Sequence, residues 1–244
     1  MTPIELLLRR LEQVAVLEDQ DRQVLGAIPF EVTSFEDNRD IVKEGDRPNR
    51  CFMLMEGLVG SYKFTSEGSR QIPSFYVPGD MPDLQSLHLS RMDVGFRTLT
   101  PAKIAFASHS AIRLACTQSF AVIEAFWRLT LIDSSIFREW LTNIGQRDAT
   151  ARLAHVFCEL FVRLDVMDLI QDHSFDLPLT QQELADAIGT SAVHVNRVLQ
   201  QLRGDGLIRL QDRRLTILDW DRLCEVGDFD PAYLHLREDR EQIR

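Results

Sequence analysis

The residues best suited to chemistry cluster in one stretch, TQQELADAIGTSAVHVNRVLQQLRGDGLIRLQDRR, from Thr180 to Arg214. His194, Asn196 and Arg197 lie within four positions of one another. An arginine can donate two hydrogen bonds to guanine O6 and N7, and an asparagine can pair with adenine in the same bidentate way. Ala192 and Val193, beside them, can contact only apolar groups such as the thymine methyl. Arg213 and Arg214 are placed to meet phosphate oxygens, which fix register without reading sequence. This chemistry is the reading of duplex DNA, and it requires a helix presented to a groove.

The surrounding residues predict that helix. Thr180 and Glu183 form a capping box, in which each side chain bonds the other's backbone N–H. The first helix is QQELADAI, with the small Ala185 where two helices cross. Gly189 occupies the turn, where a left-handed backbone costs glycine little. Ser191 caps the second helix. Val195 and Val198 then face Leu184 and Ile188, and Leu199 and Leu202 also turn inward. That leaves Ala192, Val193, His194, Asn196 and Arg197 outward. The spacing is that of a helix-turn-helix. GDGLIRLQDRRLTIL adds a wing, two strands joined by a tip that carries Arg213 and Arg214.

The chain as a whole is acidic, with a formal net charge of −10 over 244 residues. Between Ser191 and Arg214, however, five arginines oppose only Asp205 and Asp212, for a local net charge of +3. Charges beyond a screening length of about 8–10 Å contribute little to docking. The segment from Asp219 to Arg244 is acidic, at −4. Its Trp220, Leu223, Val226, Phe229, Tyr233 and Leu236 predict a segment that packs back on the body as a stabilising clasp.

Other chemistries find little support. Cys51, Cys116, Cys158 and Cys224 are scattered without a CxxC pair and read as four separate reduced thiols. His88 and His109 are too few and too far apart for a metal-dependent roll. GxSxG, HExxH and Walker loops are absent, so an enzyme is not expected. Neither a metal nor a cofactor is predicted. No apolar run approaches the ~18 residues needed to cross a bilayer, and the amino terminus lacks signal-peptide character. A cytoplasmic location without membrane association is the expectation.

The rest of the chain must carry and pair the reading head. Residues 3–28 have helical periodicity in two pieces. From Phe30 to about Gln118, short apolar segments alternate with glycine-marked turns, which predicts an antiparallel β-roll. A long helix follows from about Gln118. One of its stripes is Val122, Phe126, Leu129, Ile136 and Trp140. The other is Ile123, Trp127, Thr130, Ser134, Phe137, Leu141 and Ile144. A helix apolar on two faces needs cover on both; the roll supplies one, and the same helix of a second copy supplies the other. Gly145 reads as a hinge, with repacking of Trp127, Phe137 and Trp140 as the route by which a signal could reach the reading heads. The expected class is α+β, with the N-terminal helices and roll at 1–117, the dimerisation helix and hinge at 118–146, the winged helix-turn-helix at 147–218 and a C-terminal extension at 219–244.

Roll, long helix, hinge and winged head together resemble the Crp/Fnr family of bacterial transcription regulators. MEGLVGSYKF with VPGD resembles that family's roll, and LTQQELADAIGTSAVHVNRVLQQLRGDGLI its DNA-binding signature. The resemblance implies a homodimer on two-fold-symmetric operators, with RNA polymerase as a further partner in many members. By position it implies phosphate contacts at Thr180 and Gln182, with Ser191 beside them, and base reading at Ala192, Val193 and Arg197. Many members have Arg and Glu where this chain has Ala192 and Val193.

The family's effector pocket is diverged. Members that bind cyclic AMP carry a Gly-Glu pair where this chain has Asp83 and Leu84, and an Arg-Ser pair that has no counterpart here. Arg97 is near but out of register. Positions that meet adenine fall near Asp133, Phe137 and Arg138. An anionic phosphate beside Asp83, without its arginine, is disfavoured, so cyclic AMP is not the expected effector. The alternatives are a haem-responsive regulator ligated through His88, a redox-responsive one acting through thiols, or a ligand-binding roll without a DNA role.

Overall fold

The computed structural model describes residues 1–237, so Glu238, Asp239 and Glu241, counted in the tail's charge, lie outside the described residues. Two compact units emerge. The first comprises Met1–Ser61, Tyr76–Ile136 and, of the described residues after it, Leu234–Arg237; the second comprises Tyr62–Phe75 and Phe137–Tyr233.

The first unit opens with helices α1 (Pro3–Glu12) and α2 (Asp19–Gly26). Thr2 and Glu5 form a capping box that starts α1. The roll contains β1 (Glu31–Phe35), β2 (Asp40–Val42), β3 (Arg50–Glu56), β4 (Val59–Phe64), β5 (Arg70–Gln71), β6 (Phe75–Tyr76), β7 (Gly95–Thr98) and β8 (Ala102–Ser108). Strand β8 lies between β1 and β3, antiparallel to both, with Val32 opposite Ala105 and Phe52 opposite Phe106. Strand β2 pairs with β7. Alternate residues point inward, and Phe52, Leu54, Tyr76, Phe96 and Ile104 fill the interior. The Phe52 and Phe96 rings meet edge to face at 5.5 Å. Gly57, in the turn between β3 and β4, has φ +95° and lies so close to its neighbour that a Cβ would sit 2.5 Å from the Pro101 carbonyl oxygen.

Helix α3 (His109–Gln118), capped by the Ser108 hydroxyl, follows β8 directly. Sequence periodicity had extended the roll through this segment. Ser119 then breaks the path, and α4 (Phe120–Gln146) begins. The stripe Val122, Phe126, Leu129, Ile136 and Trp140 is buried. Gly145 does not end α4, which runs on to Gln146; the break falls at Arg147, and Asp148 starts α5 (Ala149–Asp165) by accepting from Thr150 and Ala151 N–H, each at 2.9 Å.

In the second unit α5 leads to β9 (Ser174–Asp176), α6 (Gln181–Ile188), α7 (Ala192–Gly204), β10 (Ile208–Gln211), β11 (Arg214–Ile217) and α8 (Trp220–Gly227). The wing is three-stranded, in the order β10-β11-β9, because HSFDLPL contributes β9, with Phe175 opposite Leu215. Helix α8, capped by Asp219, packs on α5 as part of this unit: Trp220 and Phe161 rings lie 5.0 Å apart, and Leu223 is fully buried. The four-part division expected from sequence therefore differs from these two units, which cut α4 between Ile136 and Phe137 and assign 62–75 to the second unit.

Candidate nucleic-acid interface

The helix-turn-helix is built as its spacing dictates. The Thr180 hydroxyl accepts from the Glu183 N–H while Glu183 Oε2 accepts from the Thr180 N–H at 2.7 Å. Gly189 takes φ 67° and ψ 47°, closing α6 in the left-handed region. The Ser191 hydroxyl accepts from His194 N–H and opens α7. Ala185, Ile188, Val195 and Leu202 are fully or almost fully buried at the crossing. This fixes the roll of α7 about its axis, so Val193, His194 and Arg197 are exposed, with Ala192 and Asn196 half-buried at the flanks.

Several candidate phosphate contacts are already engaged. Thr180 gives its hydroxyl proton to Glu183 Oε2 at 2.7 Å. The Gln182 amide donates to Asp186 Oδ1 at 2.7 Å. The i, i+4 geometry brings Gln182 to Asp186, and the capping box claims Thr180, so neither side chain stands open as sequence position alone suggested. At the wing tip Asp212 and Arg213 both have positive φ, 51° and 61°, a turn that leaves Arg213 exposed. Arg214 starts the returning strand and pairs with Asp176 of β9 at 3.1 Å.

A hairpin unforeseen in sequence holds the first helix. The last residues of β4 pair with β5, Lys63 opposite Gln71. Past the hairpin, the Ile72 N–H donates to the Asp186 carbonyl at 3.1 Å, Gln71 Nε2 to the Ala187 carbonyl at 3.1 Å, and Arg70 Nε to Asp186 Oδ2 at 2.6 Å. Charges at Arg70 and Asp186, more than a hundred positions apart, carried no local signal of this pairing.

A buried polar network ties the end of α4 to α5 and to the segment after α8 within the second unit. His155, Glu159 and Arg163 repeat every four residues along α5, and all are buried. Glu159 accepts from Trp140 Nε1 at 2.9 Å, Arg163 at 2.8 Å and the Tyr233 hydroxyl at 2.8 Å. His155 donates from Nδ1 to the Gly227 carbonyl at 3.1 Å and stacks on Tyr233. Burial pushes the His155 pKa below its ordinary value, and burial together with Glu159 pushes that of Tyr233 up. Arg147 bonds Glu139 at 2.7 Å and Asp228 at 2.9 Å. Trp140 is thus a buried bonding partner of Glu159, not a residue of the exposed seam. The i, i+4 recurrence of His, Glu and Arg in the otherwise apolar stretch Leu153–Leu164 was the available clue.

The exposed face of α4 is apolar: Phe120, Ile123, Trp127, Leu131, Phe137 and Leu141 range from 37% to 74% exposed. Thr130 is half-buried and Ser134 exposed on the same face. Ile144, placed on that stripe by spacing, instead turns to the helix-turn-helix: its Cγ2 lies 3.5 Å from where a Cβ on Gly189 would be.

The candidate effector residues divide between the two units. Asp83 and Leu84 are 1% and 3% exposed in the first unit. Asp83 Oδ1 accepts from the Phe52 N–H at 2.9 Å, while Oδ2 has no hydrogen-bond partner. Burial raises the Asp83 pKa to about 8. Arg97 alternates with the inward Phe96, so it faces away from the interior and pairs with Asp40 at 2.7 Å and Asn38 at 3.2 Å. Asp133 is half-buried, while Phe137 and Arg138 are exposed and belong to the second unit. His88 is exposed, and His109 bonds Ser86 at 2.9 Å.

Residues 32–119 match the cyclic nucleotide-binding domain model, and residues 151–226 match the Crp-like helix-turn-helix domain model. The chain belongs to the Crp/Fnr family. It is a transcription regulator with a helix-turn-helix DNA-binding domain. Among its relatives are the nitrogen fixation regulation protein FixK of Rhizobium meliloti, 26% identical over 78% of this chain and 85% of that protein, and the transcriptional activator FnrL of Cereibacter sphaeroides, 24% identical over 80% of each. FixK2 from Bradyrhizobium japonicum shares the fold, with TM-score 0.73 at 20% identity over 83% of this chain and all of that one. No helix among the described residues is long and apolar enough to cross a membrane.

Proposed function

We propose that this Crp/Fnr regulator acts as a homodimer joined along α4, which offers two α7 helices to successive major grooves of a two-fold-symmetric operator. The observation that carries the reading is the exposed stripe Phe120, Ile123, Trp127, Leu131, Phe137 and Leu141. Leaving such a face in water forfeits about 25 cal/mol per Å² of apolar surface, and a second copy of the same helix is self-complementary to it. Arg197, His194 and Asn196 read base edges, Ala192 and Val193 contact thymine methyls, and Arg213 holds phosphate. Gln182, Ser191, Thr180 and Arg214 contribute to positioning, with their present partners shared or exchanged. The activator named among the relatives supports activation, with RNA polymerase as the partner.

Cyclic AMP is not the effector in this reading. The Gly-Glu position is filled by buried Asp83 and Leu84, and Arg97 is committed to Asp40. Sedimentation velocity and gel shifts against genomic fragments test the proposal together. A dimer that retards discrete fragments, unaffected by cyclic AMP, is expected. A monomer at working concentration, or retardation independent of sequence, refutes it.

A further inference from the structure

The four cysteines are scattered in sequence, yet two of them meet. Cys158, in the buried face of α5, and Cys224, half-buried on α8, bring their sulfurs to 3.9 Å. The contact is held by close helix packing: a Cβ on Gly227, one turn from Cys224, would lie 2.8 Å from the His155 N–H nitrogen. We infer that Cys158 and Cys224 form a thiol pair that hydrogen peroxide oxidises to an intrachain disulfide, stapling α8 to α5.

The two thiols differ in the way such a pair requires. Cys224 has access to solvent, and its thiolate is favoured because the Cys158 S–H can donate to it, which lowers its pKa from the ordinary value. Cys158 is fully buried, and its pKa is raised by burial and by Cys224. Cys51 and Cys116 are both raised by burial, so they are poorer nucleophiles. The Cys224 thiolate attacks the peroxide, forming an S–O bond as the O–O bond breaks; the departing hydroxide takes up a proton and leaves as water. The Cys158 sulfur then attacks Cys224, forming the S–S bond as the S–O bond breaks, and its thiol proton leaves with the hydroxide as a second water. Two thiols are oxidised and one peroxide is reduced. Side-chain rotation must bring the sulfurs from 3.9 Å to the ~2.05 Å of a disulfide.

This inference stands independently of DNA binding. The test uses the reduced full-length protein, treated with hydrogen peroxide, quenched, alkylated after denaturation and mapped by mass spectrometry. The expected product has lost two hydrogens, links the Cys158 and Cys224 peptides within one chain, and leaves Cys51 and Cys116 alkylated. Its melting temperature rises by roughly 5–10 °C and returns on reduction. Cys158→Ser should stop at a Cys224 sulfenic acid that dimedone traps, and Cys224→Ser should show no linkage. Full alkylation of Cys158 and Cys224 after treatment overturns the inference, as does a link to another cysteine or between chains. The wild-type map decides this even if a variant fails to fold.

Discussion

Replacing Asp83 by Asn tests whether the former effector position has become part of the roll's core. Burial raises the carboxyl pKa from its ordinary 3.8 to about 8. The unfolded chain therefore releases this proton near pH 4, while the folded chain keeps it until about pH 8. Between those values the unfolded state binds fewer protons, so stability falls as pH rises, by about 1.4 kcal/mol per pH unit for this one group. From pH 5 to pH 7 the loss is roughly 3 kcal/mol; above about pH 8 both states are ionised and the slope vanishes. Asparagine resembles the protonated acid in shape and polarity, and its Oδ1 can still accept from Phe52 N–H. Asp83→Asn should therefore match wild type near pH 4 and gain a further roughly 3 kcal/mol over it between pH 5 and pH 7. Urea unfolding from pH 5 to pH 8 measures the difference directly, since other titrating groups cancel between the two proteins. Parallel stability curves refute the argument, and a variant less stable than wild type at pH 7 refutes it more strongly.

The other predictions address the clasp, the seam and the reading head. Tyr233→Phe removes a hydrogen bond to the buried Glu159 carboxylate and should cost about 1.5–3 kcal/mol, lowering the melting temperature by several degrees in calorimetry; no shift argues against the clasp. Trp127→Glu places a charge on the exposed stripe of α4 and should yield monomers by sedimentation, with gel-shift affinity lost in parallel. Arg197→Ala should cost about 1–3 kcal/mol and relax preference at one base pair, read from binding to a set of point-mutated operators. Arg213→Ala should weaken binding evenly across sequences and reduce the salt slope by about one.

The helix-turn-helix was the most legible part because its determinants are local. Caps at Thr180 and Ser191, the left-handed turn at Gly189 and the apolar spacing of Val195 and Val198 each follow from contacts within a few residues. The buried stripe of α4 was legible for the same reason. Helix α3 was missed although Ser108 caps it, since its apolar residues continued the rhythm of the preceding strand. Ile144 was assigned to the seam because a 4-3-4-3 pattern drifts on a 3.6-residue helix, and by the last turn that drift faces it toward Gly189.

From residue order alone came the roll, the long helix and the winged head, all set by periodicity and capping that any short segment carries within itself, while the family came by resemblance of its motifs. Tertiary structure decided which polar side chains are engaged and which remain exposed. Arg70 reaches Asp186, Tyr233 reaches Glu159, Arg97 turns to Asp40, and Cys158 meets Cys224 through approaches between distant segments. The physical reason is that hydrogen bonds, ion pairs and thiol contacts act over a few ångströms of space, whatever the separation along the chain.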